Sequence, residues 1–346
     1  MVKVLIVDDS VFMRTVIRDM LSKDASIEVV GTASNGLDAI DKIRELKPDL
    51  ITLDIEMPKM NGIEVLRELK KFEVRPKILM LSSLTSKGAE MTVEAIRLGA
   101  DDFMLKPTVI PQVRDIAEEL VNKIKHLFTI RTLDIPKTPV LNAGHAGNIV
   151  LIGSSAGGPP MLDELLAAIP QDLPAGIIIT QHMPVGFTAP LAERFNRIAP
   201  MPVKETENGD MVETGKILLS KAGVHTIVSG VIEGDGRKTG RIVHSSAPPL
   251  HGVRPAVDKT FESAAQVYGK NVVSVILSGM GNDAGQGALA IKQAGGVSII
   301  CDEKDCLVYG MARSAIQKNA VDKVLPLNRI AKEIERVVRN MDGCHV

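Results

Sequence analysis

With 346 residues, 45% of them apolar and 24% charged, and a formal net charge of −1, the chain can bury two ordinary cores. It has no charge excess to draw it to nucleic acid or an anionic membrane. No apolar run approaches the roughly 18 residues of a bilayer span, and MVKVLIVDDS meets two aspartates too early for a signal peptide. A cytoplasmic protein is expected, with Cys301, Cys306 and Cys344 as free thiols because their spacing suits neither a metal site nor an even disulfide framework.

Short apolar runs alternate with amphipathic segments over residues 1–125. Val4-Leu5-Ile6-Val7 comes first, then Met13, Val16, Ile17, Met20 and Leu21 on one helix face. Ile27 to Val30 is the second run, followed by a helix face of Leu37, Ala39, Ile40 and Ile43. Leu50 to Leu53 is the third, followed by Ile63, Val65, Leu66 and Leu69 on a third helix; Ile78 to Leu81 and Phe103 to Leu105 complete the set. This alternation predicts a parallel sheet covered on both faces. Polar residues stand at the carboxyl ends of the runs: Asp8-Asp9, Asp54, Ser82 and Lys106. In an open parallel sheet those ends share one crevice. Three carboxylates gathered there need a cation among them, and hard oxygen ligands suit Mg²⁺. Asp54 could then attack a phosphoryl group whose oxygens meet Lys106 and Ser82.

Residues 126–147 show no sustained period and carry Pro136, Pro139, Gly144 and Gly147, which predicts a linker after a helix ending near Phe128. The second domain, 148–346, begins with the run Ile149 to Ile152, the turn Gly153-Ser154-Ser155-Ala156-Gly157-Gly158, and a helix opened by Pro159-Pro160 with Met161, Leu165 and Ile169 on its apolar face. Strand, glycine turn and helix fit either a phosphate cradle or a nucleophile elbow. A dinucleotide site wants an acid at the end of the next strand, but Gly176 to Thr180 leads into Gln181-His182-Met183-Pro184. A histidine there instead suits a base for Ser155, the centre of Gly153-x-Ser155-x-Gly157. Val272 to Leu277 and the turn Ser278-Gly279-Met280-Gly281 bring Asp283 to a third strand end, completing a serine, histidine and aspartate set. Ser154 is the rival nucleophile, and Asp258 and Asp302 are the rival carboxylates. His225, His244 and His251 have no comparable placement; His225 could line the site, but packing is the expectation.

Two resemblances cover nearly the whole chain. Asp8-Asp9, Asp54 with Met57-Pro58 and Asn61-Gly62, Ser82 and Lys106-Pro107 resemble a response-regulator receiver domain. That implies phosphorylation of Asp54 by a chemotaxis histidine kinase, with Mg²⁺ held by Asp8, Asp9 and Asp54. Gly153 to Gly158, Gln181-His182-Met183-Pro184 with Gly186-Phe187-Thr188, Arg254-Pro255 with Val257-Asp258, Ser278 to Asp283, and Tyr309-Gly310-Met311 resemble the chemotaxis protein-glutamate methylesterases. This second resemblance implies hydrolysis of glutamate methyl esters, and deamidation of selected glutamines, on cytoplasmic chemoreceptor helices. Ser155 would be the nucleophile, His182 the base, Asp283 its orienter, and backbone N–H groups near Ser155 and Met280 the oxyanion hole, with no cofactor for the esterase. Ala156, Ala284 and Ala312 depart from the family's usual Thr, Gly and Pro, and Lys221-Ala222-Gly223 replaces a more Pro-Gly-like turn.

The expected fold is α/β, two doubly wound parallel-sheet domains, a flavodoxin-like receiver and a Rossmann-like esterase. The expected state is a monomer that neither binds nucleic acid nor inserts into a membrane. A receiver with a nucleotide-binding or interaction output domain is the alternative; no basic helix-turn-helix segment supports a DNA-binding one.

Overall fold

The computed structural model describes residues 1–83, 85–106, 113–129, 144–234, 236 and 238–342. The chain divides into two units, Met1–Arg131 and Thr132–Val346, and both are parallel α/β folds.

In the first unit the chain runs β1 (Val2–Val7), α1 (Val11–Leu21), β2 (Ile27–Ala33), α2 (Gly36–Leu46), β3 (Leu50–Asp54), α3 (Gly62–Leu69), β4 (Lys77–Ser82), α4 (Ser86–Leu98), β5 (Asp102–Leu105) and α5 (Val113–Thr129). The strands form one parallel sheet in the order β2-β1-β3-β4-β5. Residues 4–7 and 50–53 are fully buried, which explains why these strands read as unbroken apolar runs. Helix starts are fixed by side chains. The Ser10 hydroxyl accepts from the Met13 amide, Asn35 accepts from the Leu37 and Asp38 amides, and Asn61 and Glu64 cap each other's backbone. One expectation fails: Leu37 is 50% exposed. It lies about 160° around α2 from Ala39, so Ala39, Ile40 and Ile43 carry the buried face without it.

The second unit runs β6 (Ile149–Ser154), α6 (Gly158–Ala168), β7 (Gly176–Gln181), α7 (Thr188–Ile198), β8 (Val203–Glu205), β9 (Ile217–Leu219), β10 (His225–Ile232), β11 (Lys238–Ser245), α8 (Val257–Tyr268), β12 (Val272–Ile276), α9 (Gly285–Gln293), β13 (Val297–Cys301), α10 (Gly310–Gln317), β14 (Lys323–Leu325) and α11 (Leu327–Asp342). Seven parallel strands are ordered β14-β13-β12-β6-β7-β9-β8, and β10 and β11 form a separate antiparallel hairpin. The hairpin lies against α8, where the Gly240 amide donates to the Tyr268 hydroxyl at 2.9 Å. A Cβ at Gly240 would stand 2.8 Å from that oxygen, so only glycine fits there.

Of the expected linker, residues 130–143 lie outside the described residues. Beyond them, Ala146 is fully buried in the second core and donates its N–H to the Val212 carbonyl at 2.9 Å. In each sheet the strand order reverses beside the unit's first strand, between β1 and β3 and between β6 and β12. Those two reversals are where an open parallel sheet leaves a crevice at its carboxyl ends.

Candidate functional site

In the first unit, Asp8 follows β1 and is fully buried, Asp54 ends β3 at 3% exposure, and Asp9 is exposed. Ligand oxygens of the three lie within 4.8 Å of one another. The loop is held from behind by Arg14, whose guanidinium donates to the Asp8 and Asp9 carbonyls at 2.6 and 3.0 Å. Lys106 Nζ stands 2.6 Å from Asp54 Oδ2 and 2.8 Å from Asp8 Oδ2. Apart from that ammonium, the buried Asp8 Oδ2 has no polar partner among the described residues. An acceptor oxygen left in this state among three carboxylates fits a hard cation. Burial pushes the Asp54 carboxyl up to about 6, against the Lys106 hydrogen bond, and the Asp8 charge adds to the rise. For Lys106, burial acts downward, but its bonds to Asp54 and Asp8 outweigh it and hold the ammonium above its usual value. Ser82 ends β4, one strand over from Asp54, and its buried hydroxyl accepts from Thr92 Oγ1 at 2.9 Å. Thr92 is a partner that sequence reading did not find, because nothing in a helix pattern marks which threonine faces a strand end.

In the second unit the glycine turn separates the two serines. Ser154 is fully buried at the end of β6 and donates to Gln181 Oε1 at 2.5 Å. Ser155 is partly exposed, just ahead of α6, whose N-cap Gly157 has φ 75°. A Cβ on Gly157 would meet Leu307 Cβ at 2.7 Å and Ser278 Oγ at 2.9 Å, and a left-handed residue is needed there in any case. Ser155 thus stands near the positive end of α6. Its own N–H is engaged with the Ser278 carbonyl at 2.9 Å. An oxyanion donor must therefore come from a neighbour of Ser155, not from its own amide. Met280 lies on the loop that approaches it: a Cβ on the preceding Gly279 would lie 3.0 Å from Ser155 Cβ.

His182 follows β7 and donates its backbone N–H to the Ser154 carbonyl at 3.0 Å. Its Nε2 is 2.7 Å from Asp283 Oδ2, which leaves Nδ1 as the ring nitrogen for a serine. Asp283 is 1% exposed and stands at the N-terminus of α8. It accepts from the Val257, Asp258 and Ala284 amides at 2.6, 2.8 and 3.0 Å. Burial alone would raise this carboxyl; the His182 bond and the Asp258 and Val257 amides outweigh it and hold Asp283 below the usual carboxylate value.

Gln181 had no assigned role in the sequence, yet it is the hub of the turn. Besides accepting from Ser154, its Nε2 donates to the Ser155 and His182 carbonyls, both at 2.9 Å. Its place as the last residue of β7, beside the histidine, was the available signal. His225 is fully buried and holds loops together, facing the Pro248 carbonyl and accepting from the Ala256 amide. His244 meets Thr206, and His251 meets Asp258 rather than Asp283. Asp302 caps a short turn by accepting from the Lys304 amide. Cys301 and Cys306 are free thiols; Cys344 lies outside the described residues.

Residues 150–334 match the CheB methylesterase family, and residues 4–118 match the response regulator receiver domain. The chain belongs to the CheB methylesterase family. The chain thus joins a methylesterase, a hydrolase, to a response-regulator receiver domain. The chain is 58% identical over 344 residues to protein-glutamate methylesterase/protein-glutamine glutaminase 1 of Methanospirillum hungatei, covering 99% of this chain and 100% of the relative. It is 39% identical over 355 residues to the protein-glutamate methylesterase/protein-glutamine glutaminase of Pyrococcus abyssi, covering 99% and 95% of the two. The crystal structure of the Thermotoga maritima CheB methylesterase catalytic domain is 37% identical, with a TM-score of 0.53, and the match covers 56% of this chain and all of that one. Membership of a methylesterase family sets aside the alternative of a nucleotide-binding or interaction output domain. No helix among the described residues is long and apolar enough to cross a membrane.

Proposed function

We propose that this CheB methylesterase hydrolyses glutamate methyl esters on the cytoplasmic helices of chemoreceptors, and deamidates selected glutamines there, with Ser155, His182 and Asp283 as its catalytic set. The observation that carries this reading is the 2.7 Å bond between His182 Nε2 and Asp283 Oδ2, made beside the turn that presents Ser155. Ser155 Oγ attacks the ester carbonyl carbon while His182 Nδ1 takes the hydroxyl proton. Asp283 fixes the tautomer and stabilises the imidazolium. The carbonyl oxygen gains charge facing the Met280 amide and the N-terminus of α6. Collapse breaks the carbon–oxygen bond, and His182 returns the proton to the departing methanol. Water then attacks the acyl-enzyme with His182 again as base, giving a glutamate carboxylate and free Ser155. For glutamine the first leaving group is ammonia.

The same proposal assigns control to the receiver. Asp8, Asp9 and Asp54 would hold Mg²⁺, and Asp54 would accept the phosphoryl group from a chemotaxis histidine kinase. When bound, the metal supplies positive charge that offsets the phosphoryl oxygens. Lys106 and Ser82 contact those oxygens, and the altered contacts shift the receiver between two conformations that restrain or release the esterase. A change from mostly restrained to mostly released needs a few kcal/mol, within reach of one phosphoryl group and its new bonds.

The test is methanol release from methylated receptor membranes by the full chain, with and without a small phosphodonor and Mg²⁺. Release that rises with the phosphodonor is expected, and a fragment lacking residues 1–143, which keeps Ala146 in the second core, should release methanol faster than the unphosphorylated chain. Absence of methanol release under both conditions would remove the esterase reading. A fragment no faster than the unphosphorylated chain would remove restraint as the means of control.

A further inference from the structure

Behind Asp283 lies a second histidine–aspartate pair. Asp258, the second residue of α8, is 1% exposed. Its Oδ1 accepts from the Gly287 amide of α9 at 2.6 Å, and its Oδ2 faces His251 Nε2 at 3.0 Å. Its own N–H donates to Asp283 Oδ1 at 2.8 Å. Its place is fixed by close helix contact: a Cβ at Gly287 would stand 2.4 Å from Phe261 Cβ and 3.2 Å from Asp258 Cα.

Ligand atoms of His251, Asp258 and Asp283 lie within 4.8 Å of one another, which invites a metal reading. The hydrogen bonds argue against it. Asp283 is already met by His182 and three amides, and both Asp258 oxygens are met by Gly287 and His251. A metal ion would have to displace them. The same donors say what the pair is. The Gly287 amide fixes Oδ1 as an acceptor, and with the proton on His251 Nε2 the Oδ2 atom accepts as well, the pairing that suits the ionised form. Burial pushes the Asp258 carboxyl up, the Gly287 amide opposes that, and the neighbouring Asp283 charge adds to the rise. Two carboxylates are thus kept side by side at an energetic penalty.

Resting on the esterase reading above, we propose that Asp258, held by His251, is a positioning residue for the reaction: it stays ionised beside Asp283 and deepens the negative field in which His182 accepts the serine proton. The charged and titratable groups facing this spot are His182 after β7, Asp283 ahead of α9, His251 in the loop before α8, and Lys259 and Glu262 on α8 itself.

The test is the rate at which a fluorophosphonate labels Ser155 in the full chain, followed across about pH 5 to 9. This readout depends on serine reactivity and not on the natural substrate. Asp258→Asn keeps an oxygen for the Gly287 amide and removes the charge. Its acid limb should move to lower pH by about one unit, the effect of a charge within 10 Å at an effective dielectric near 20. An acid limb at the wild-type pH overturns the proposal even if the plateau falls, because lost packing lowers a rate without moving its limb. Asp258→Ser covers the chance that the first variant misfolds: it too removes the charge, so its limb should move the same way, and an unmoved limb counts against the proposal. Wild type that is not labelled at Ser155 removes the esterase reading and this proposal with it, whereas a labelled wild type with unmoved variants removes this proposal alone.

Discussion

Asp54 in the first unit and Asp283 in the second are both almost fully buried near the carboxyl ends of a parallel sheet. Yet burial lifts Asp54 to about 6, while Asp283 is held below the usual carboxylate value. The difference is the supply of donors. Asp54 has the Lys106 ammonium and the Glu56 amide, with the Asp8 carboxylate pressing on it. Asp283 has His182 and three backbone amides, two of them at a helix N-terminus. On the proposed reading, the carboxylate that takes the phosphoryl group is the one left short of partners, with oxygens free for a cation and a phosphoryl group to engage. The carboxylate proposed to stay charged beside His182 is met by three backbone N–H groups that no side-chain motion can withdraw.

The largest break in this comparison is at the proposed nucleophile. Ser155→Ala should lower kcat for methanol release by about 10⁶, while Ser154→Ala, at a buried hydroxyl bonded to Gln181, should keep far more of the rate. A Ser155→Ala rate within tenfold of wild type would move the assignment to Ser154. Next comes Asp283 itself. Asp283→Asn should cost up to about 10⁴ in kcat by favouring the wrong tautomer of His182, and an unaffected rate would send the role to Asp258 or Asp302. On the other side of the comparison, Asp54→Ala should leave the unstimulated rate in place and abolish the rise with phosphodonor. Chelating Mg²⁺ should have the same result in wild type, and phosphodonor-driven release in either case would break the receiver assignment.

The smallest effect sharpens the account of how Asp283 gets its donors. Ala284 aims its amide at Asp283 from a left-handed backbone, φ 80°, a conformation that strains any residue with a Cβ by about 1–2 kcal/mol. Ala284→Gly should relieve that strain and raise the calorimetric transition of the second unit by about 2–4 °C per kcal/mol gained. A lowered transition would mean that the alanine side chain's burial outweighs the strain.

How much of this was open to sequence reading follows from what sets each feature. The buried parallel strands were legible because both faces are covered, so β1, β3, β6 and β12 spell continuous apolar runs. The placement of Asp8, Asp54, Ser155, His182 and Asp283 by strand ends was legible because a strand end followed by a polar residue or glycine turn is a local pattern. Leu37 was misplaced because a short helix has room for an apolar residue off its buried stripe. Gln181, Thr92 and the Asp258–His251 pair were missed because their roles depend on which distant amide or hydroxyl faces them. The Gly287 amide that meets Asp258 is 29 residues away in the chain, and no periodicity encodes that. The β10–β11 hairpin went unread for a related reason, since Gly230 and Gly240 interrupt the alternation of its strands.

The contrast between the two carboxylates can be measured directly by following the ¹³C carboxyl resonances of aspartate-labelled, metal-free full chain against pH, with Asp54→Asn and Asp283→Asn to assign the two signals. The account predicts that Asp54 titrates near 6 and that Asp283 remains ionised as the pH falls through the ordinary aspartate value of 3.8. Two signals titrating together near that ordinary value would contradict it.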